Sequence, residues 1–344
     1  MTDAFSGTDQ QLPADHITVK SGRVGLLLVN LGTPEAPEKG AVRRYLGEFL
    51  SDKRVIEIPS LLWQPILRGI ILNTRPAKSA AAYRKVWSER GSPLAAITAQ
   101  QAELLQPRLG DGVMVEWAMR YGNPSIPARL EALKQAGCDR ILLAPLYPQY
   151  CGATSATVVD KAGEWLGDKR WQPAMRTLPP YYDDPAYISA LAKDIGGQLD
   201  TLEFTPEVLL LSFHGMPQRT LELGDPYHCH CQKTARLLET ALARSDIRMR
   251  ATFQSRFGRA KWLEPATDAV LAEEAAKGTR RLAIAAPGFS ADCLETLEEL
   301  AIQGREQFEA AGGKQFAALE CLNAREPGMA MLEAIMRREL AGWL

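Results

Sequence analysis

Short apolar runs alternate along the chain with stretches of helical periodicity. Seven runs have the length and composition of strands: Val24–Asn30 (VGLLLVN), Val113–Met119 (VMVEWAM), Ile141–Leu146 (ILLAPL), Glu207–Phe213 (EVLLLSF), Met249–Gln254 (MRATFQ), Leu282–Ala286 (LAIAA) and Phe316–Leu322 (FAALECL). Apolar strands separated by amphipathic helices mark parallel sheets covered on both faces. The class is α/β, doubly wound.

The same pattern occurs twice. LLLVNLGTP (26–34) resembles LLLSFHGMP (209–217), and AMRYG (118–122) resembles QSRFG (254–258). LLAPLY (142–147) resembles AIAAPGF (283–289), and MRTLPPYYDDPAYISAL (175–191) resembles FAALECLNAREPGMAML (316–332), each reading strand, linker, proline, helix. Four landmarks in one order imply two similar Rossmann-like domains with parallel sheets, over 24–175 and 176–325. A flexible leader (1–23) precedes them and a C-terminal helix (326–344) follows. The first domain carries an insertion over about 40–98.

Ligands of open α/β sheets bind at the carboxyl ends of strands, and in a duplicated protein the cleft between the halves is the natural place. His214 ends the strand EVLLLSF, where the first half has Leu31. An imidazole there suits proton transfer or metal ligation. The segment PGFSADCLETLEEL (287–300) follows LAIAA. In an α-helix Asp292, Glu295 and Glu299 would share one face, with Glu298 at its edge. Alone this is a solvated acidic face; with His214 in the same half it suits a divalent transition metal.

The insertion holds IPSLLWQPILRGIIL (58–72), too short and too interrupted by Pro59, Pro65 and Arg68 to span a bilayer. It has two readings: a core helix, or an apolar lip over a large flat ligand or a membrane surface. YHCHC (227–231) offers four ligating side chains, but neighbours this close cannot all reach one ion, and no second Cys/His pair lies nearby. A surface loop is the simpler reading there. LGTPEAP lacks a phosphate-loop pattern, and no G-x-S-x-G nucleophile elbow is present.

Composition narrows the field further. Lys plus Arg is 40 and Asp plus Glu is 41, a net charge of −1, which gives no support for a nucleic-acid binder. Six scattered cysteines do not form a disulfide scaffold, so a reducing cytosol is the natural compartment.

At these residues the chain resembles the ferrochelatase family, in its Gram-negative bacterial branch. The resemblance rests on LLLVNLGTP (26–34), RRYLGEFLSDKRVIEIP (43–59), GSPL (91–94), LYPQY (146–150), LSFHGMPQR (211–219), FQSRFG (253–258), KWLEPATD (261–268) and ADCLETLEEL (291–300). It implies a chelatase-type fold and a lyase that inserts Fe2+ into protoporphyrin IX in the last step of heme synthesis. It also implies His214 and Glu295 as catalytic and metal-contacting residues, with Asp292 and Glu299 on an acidic path. Leu31, Tyr83, Ser92, Arg120, Tyr121 and Tyr147 would line the porphyrin cleft. Cys293 stands where the family often has a histidine. No resident cofactor is implied, since Fe2+ is a substrate and the Cys-rich extension that holds a [2Fe–2S] cluster in some members is missing; Cys151, Cys229 and Cys231 lack an identifiable fourth partner. The implied protein is cytoplasmic, with peripheral contact at the inner membrane through the lip. The alternatives are a chelatase for another metal or tetrapyrrole, and a heme or porphyrin carrier without turnover.

Overall fold

The computed structural model describes residues 20–258 and 260–344. Most of the expected leader lies outside these residues. Eight strands form two four-stranded, all-parallel sheets. The first contains β1 (Arg23–Gly32), β2 (Val113–Tyr121), β3 (Cys138–Pro145) and β4 (Ala174–Thr177), in the order β2-β1-β3-β4. The second contains β5 (Val208–His214), β6 (Arg248–Gln254), β7 (Arg281–Ala285) and β8 (Gln315–Ala318), in the order β6-β5-β7-β8. The two sheets therefore share one topology.

In the first half the helices are α1 (Lys39–Phe49), α2 (Ser60–Ile66), α3 (Leu72–Val86), α4 (Pro93–Leu109), α5 (Ile126–Gln135) and α6 (Thr157–Gly167). The rest are α7 (Pro185–Asp200), α8 (Gln218–Glu222), α9 (Tyr227–Leu242), α10 (Thr267–Ala276), α11 (Arg305–Ala310) and α12 (Glu326–Glu339). Local chemistry starts several of them. At α7, Asp184 accepts the Ala186 N–H at 2.9 Å and Pro185 occupies the first turn, where its missing N–H costs nothing.

Strand periodicity sorts the core. On β1, Val24, Leu26 and Leu28 face one cluster while Leu27 and Val29 face another. On β5, Leu209, Leu211 and Phe213 join that first cluster, while Val208 and Leu210 face a third. This is the two-residue alternation of a strand buried on both faces. One central core thus contains the inner faces of both sheets. Helices α4, α7, α9 and α12 fill it, with α12 packing on both α4 and α7.

The sequence repeat is matched with one adjustment. In the paired strands Asn30 stands beside Met119, and Phe213 beside Phe253. Met119 therefore corresponds to Phe253, two residues before the Ser255 that the AMRYG–QSRFG match pairs with it. Both strand ends are closed the same way: Met119 N–H donates to Pro124 O at 2.7 Å and Phe253 N–H to Pro265 O at 2.9 Å.

Between β1 and α4 the insertion folds as α1, α2, a π-helical turn at Leu67–Ile71, and α3. Its own small core includes Val42, Tyr45, Leu46, Leu67, Leu72 and Tyr83. Trp63 is half-buried and anchored by Nε1–H donating to Leu50 O at 2.6 Å. Leu61 and Leu62 remain 92% and 65% exposed, with Ile58, Ile66 and Ile70 also exposed.

Candidate active site

A cleft opens where the carboxyl ends of the two sheets meet, the place where open α/β sheets bind ligands. The first half contributes Leu31, Thr33, Leu146, Tyr147 and Gln149 from strand ends, and Tyr45, Tyr83 and Ser92 from the insertion and its exit. The second half contributes His214, Tyr227, the segment Gly288–Ala291, and Cys293, Leu294 and Glu295.

Leu31 and His214 each precede a glycine that packs against the neighbouring strand. A Cβ on Gly32 would lie 2.0 Å from Tyr121 O, and one on Gly215 would lie 2.5 Å from Gln254 O. Gly32 also has φ +130°, in the region that favours glycine. The His214 ring is half-buried, and Nδ1 lies 2.7 Å from Gly215 O. A carbonyl oxygen only accepts, so Nδ1 carries the proton, and in the neutral ring Nε2 keeps its lone pair.

The acidic segment departs from the α-helical expectation. Glu295–Gly304 is a π-helix, whose i→i+5 turns are wider than α turns and recur at functional sites. Residues four apart, rather than three and seven apart, then line up, so Glu295 and Glu299 share a row. Asp292 precedes the helix and is turned away: its carboxylate accepts from Thr296 Oγ1 at 2.8 Å and Asn323 Nδ2 at 2.6 Å. It ties the segment to the Cys321–Asn323 stretch and does not line the cleft.

Glu299 is half-buried and held from two sides by Ser255, whose N–H and Oγ–H donate at 2.7 and 2.5 Å. Burial raises its carboxyl above the usual range, and the nearby Glu295 charge adds to this, against Ser255 and His214. Burial, with Glu295 adding to it, also raises the phenols of Tyr45 and Tyr83, which stay protonated. Gln254 links the two chemical residues. Its carbonyl accepts the Gly215 N–H at 2.7 Å, and its Nε2 donates to Glu295 O at 3.2 Å. Ser212 Oγ donates to its Oε1 at 2.7 Å. FQSRFG carries part of the resemblance, but no role for Gln254 or Ser255 follows from it. Polar residues at the carboxyl end of a strand are the available signal.

Leu31, Tyr83, Ser92 and Tyr147 line the cleft; Arg120 and Tyr121 do not appear among its lining residues. Both are committed to Asp52, at the foot of the insertion. Arg120 Nη2 donates to Asp52 Oδ2 at 2.5 Å and Tyr121 Oη at 2.9 Å, while Arg120 also reaches Thr157. Burial alone would raise the Asp52 carboxyl, but Thr157, the Arg54 N–H, Tyr121 and the Arg120 charge together hold it below its ordinary value.

YHCHC is not a loop but the first turn of α9. Cys229 is exposed and Cys231 is buried, so the two thiols leave the helix on different sides. His230 stacks on Tyr182 with ring centres 3.6 Å apart, and its Nδ1 accepts the Tyr150 N–H at 3.2 Å. Burial pushes the Cys151 thiol up to about 12. Among the described residues, no three His, Cys, Asp or Glu side chains group closely enough to hold a metal ion.

The ferrochelatase family model matches residues 23–340. This chain belongs to the ferrochelatase family. It is 54% identical to the ferrochelatase of Agrobacterium fabrum, over 97% of this chain and 98% of that one. It is also 54% identical to the ferrochelatase of Rhizobium meliloti, over 96% and 98%. Among solved structures, SirB from Bacillus subtilis with Fe3+ superimposes with a TM-score of 0.56 at 12% identity, over 93% of this chain and 96% of that one. That likeness concerns the fold, which is of the chelatase type. Ferrochelatases are lyases, and the carrier alternative without turnover gives way to an enzyme. Among the described residues no helix is long and apolar enough to cross a membrane.

Proposed function

We propose that this cleft is where the chain inserts ferrous iron into protoporphyrin IX, releasing two protons and giving protoheme. The observation that carries the reading is the asymmetry of the cleft walls. At equivalent strand ends one wall presents the apolar side chain of Leu31, and the other an imidazole beside the carboxylate of Glu295, with Glu299 standing behind it. A flat apolar ring between them meets hydrocarbon on one side and a base on the other.

Metallation removes two pyrrole protons and brings in a partly desolvated cation. In this reading His214 Nε2 takes one pyrrole proton and the Glu295 carboxylate beside it takes the other, as positioned bases do. Glu299, held by Ser255, extends the anionic route behind Glu295. The protonated phenols of Tyr45 and Tyr83 keep that part of the wall neutral. Iron enters as substrate and leaves in the product, and the reading assigns no resident cofactor or cluster. Burial of Cys151 and Cys231, with Cys229 on another side of α9, supports this.

The exposed side chains Leu61, Leu62, Ile66 and Ile70 form an apolar face that does not line the cleft. Their exposure supports a cytoplasmic enzyme resting peripherally on a membrane through this face. The test of the central reading is anaerobic mixing of Fe(II) and protoporphyrin with the protein, followed by loss of free-porphyrin fluorescence. Turnover with wild-type protein and none with Glu295→Gln is expected. Full turnover by a folded Glu295→Gln protein would overturn the assignment. Cobalt in place of iron in the same assay distinguishes a chelatase for another metal.

A further inference from the structure

Glu298 stands on the π-helix between Glu295 and Glu299 but points elsewhere. Its side chain is only 7% exposed, and Oε1 accepts from Lys85 Nζ at 2.8 Å, while the Lys85 side chain is 50% exposed. Its second oxygen accepts from Gln303 Nε2 at 2.6 Å. A buried carboxylate on the catalytic helix thus takes its cation from α3, the last helix of the insertion.

Two further contacts tie the same elements. Tyr83, two residues before Lys85 on α3, lines the cleft, and Leu294, at the start of the π-helix, packs into the insertion's own core. Helix α3 packs directly on the π-helix. Upstream, α3 continues from the turn that carries the exposed Ile70. Parting α3 from the π-helix would leave the Glu298 charge buried without its cation, which proteins avoid at considerable cost.

We infer that Lys85 is a positioning residue, which fixes the π-helix to the lip through Glu298 and so sets where Glu295 and Glu299 stand relative to the bound ring. A displacement of α3 when the flat substrate enters is then transmitted to the carboxylates. The inference rests on the reading of Glu295 and Glu299 given above.

The test compares Lys85→Met, Lys85→Arg, Glu298→Gln and the double variant Lys85→Met/Glu298→Gln, with Glu295→Gln alongside. Glu298→Gln leaves no buried charge behind and serves where Lys85→Met does not fold. Each protein is assayed for kcat, for KM of protoporphyrin and Fe(II), and for Tm. Lys85→Met and Glu298→Gln should each lower kcat about tenfold, since small displacements of reacting groups are costly. KM for protoporphyrin should stay within about twofold and Lys85→Arg should restore most of kcat. The double variant should be no worse than either single, as expected for one shared interaction. A purely structural tie would lower Tm and leave kcat per folded molecule unchanged. That result, or losses that multiply in the double variant, would overturn the inference. Full activity of Glu295→Gln defeats the site reading itself, whereas an inactive Glu295→Gln beside fully active Lys85→Met and Glu298→Gln defeats only the coupling.

Discussion

Leu31 and His214 stand at equivalent ends of two identically ordered sheets, each followed by a glycine pressed against the neighbouring strand, and both line one cleft. The duplicated scaffold therefore supplies an internal control. His214→Leu makes the second half copy the first, removing the imidazole while keeping an apolar side chain that the scaffold already accommodates. Turnover should fall by about 10²-fold or more, the range for loss of a general base, with Tm changed by a few degrees at most. Anaerobic metallation and thermal melts check this, and substantial turnover in the folded variant would remove the base assignment.

Gly215→Ala should act through geometry alone. The added Cβ meets Gln254 O at 2.5 Å, so the backbone next to His214 has to shift. We expect a loss of about 1–3 kcal/mol in stability together with reduced kcat. Gly69→Ala, where the Cβ meets nothing within 4 Å, is the control. Equal, small effects at both positions would contradict the close packing at the strand end.

The exposed lip separates binding from stability. Leu62→Ser and Ile66→Ser alter exposed side chains, so each should change stability by less than about 0.5 kcal/mol. Both should reduce co-sedimentation with anionic lipid vesicles. Trp63→Phe removes the indole bond to Leu50 O and should cost about 1 kcal/mol. Undiminished vesicle binding by the double Ser variant would remove the membrane role.

Acid sensitivity should concentrate at Glu274. Its carboxylate is fully buried, and burial alone would raise its pKa, but Arg248, Arg250 and Thr279 outweigh this and hold it at about 2 against an ordinary 4.5. The folded value lies below the unfolded one. The stabilisation is therefore complete above pH 4.5 and is lost as the pH falls from there toward 2. It amounts to about 3 kcal/mol. Denaturation of wild type and Glu274→Gln across that window should show the difference between them shrinking with acidification; a constant difference would refute the assignment.

The cysteines allow a simple check. Purified protein should show no iron–sulfur absorption, and Cys229→Ser should keep full activity. A reddish protein with stoichiometric inorganic sulfide would overturn the expectation of no cluster.

The sheets were legible because buried parallel strands are written as uninterrupted Leu, Val and Ala. Strand β4 (AMRT) fell outside the seven apolar runs, since its side chains are largely exposed, and only the repeat hinted at it. His214 was legible from its contrast with Leu31. The arrangement of the carboxylates was not. Helical arithmetic assumed α turns running through Asp292, whereas the helix starts only after it, so Asp292 was placed on the wrong face; nothing in ETLEELAIQG distinguishes an i→i+4 from an i→i+5 ladder. Arg120 and Tyr121 were carried over by resemblance, yet their partner Asp52 lies 68 and 69 residues away, beyond any local pattern.

The central core has a mechanical consequence. Val24, Leu26 and Leu28 of one sheet and Leu209 and Leu211 of the other belong to the same packed interior, with α12 wedged against α4 and α7. The two walls of the cleft are in effect one solid body, without a hinge line between them. A large rigid product cannot be released by the halves swinging apart, as in a clamshell. It has to leave past the insertion, whose smaller interior also takes in Tyr121 of β2 and Leu294 at the start of the π-helix. The molecule is in effect a vessel with fixed sides under a fitted cover, so thermal unfolding of the body should be one cooperative transition, and changes that loosen the cover should alter release without softening the vessel.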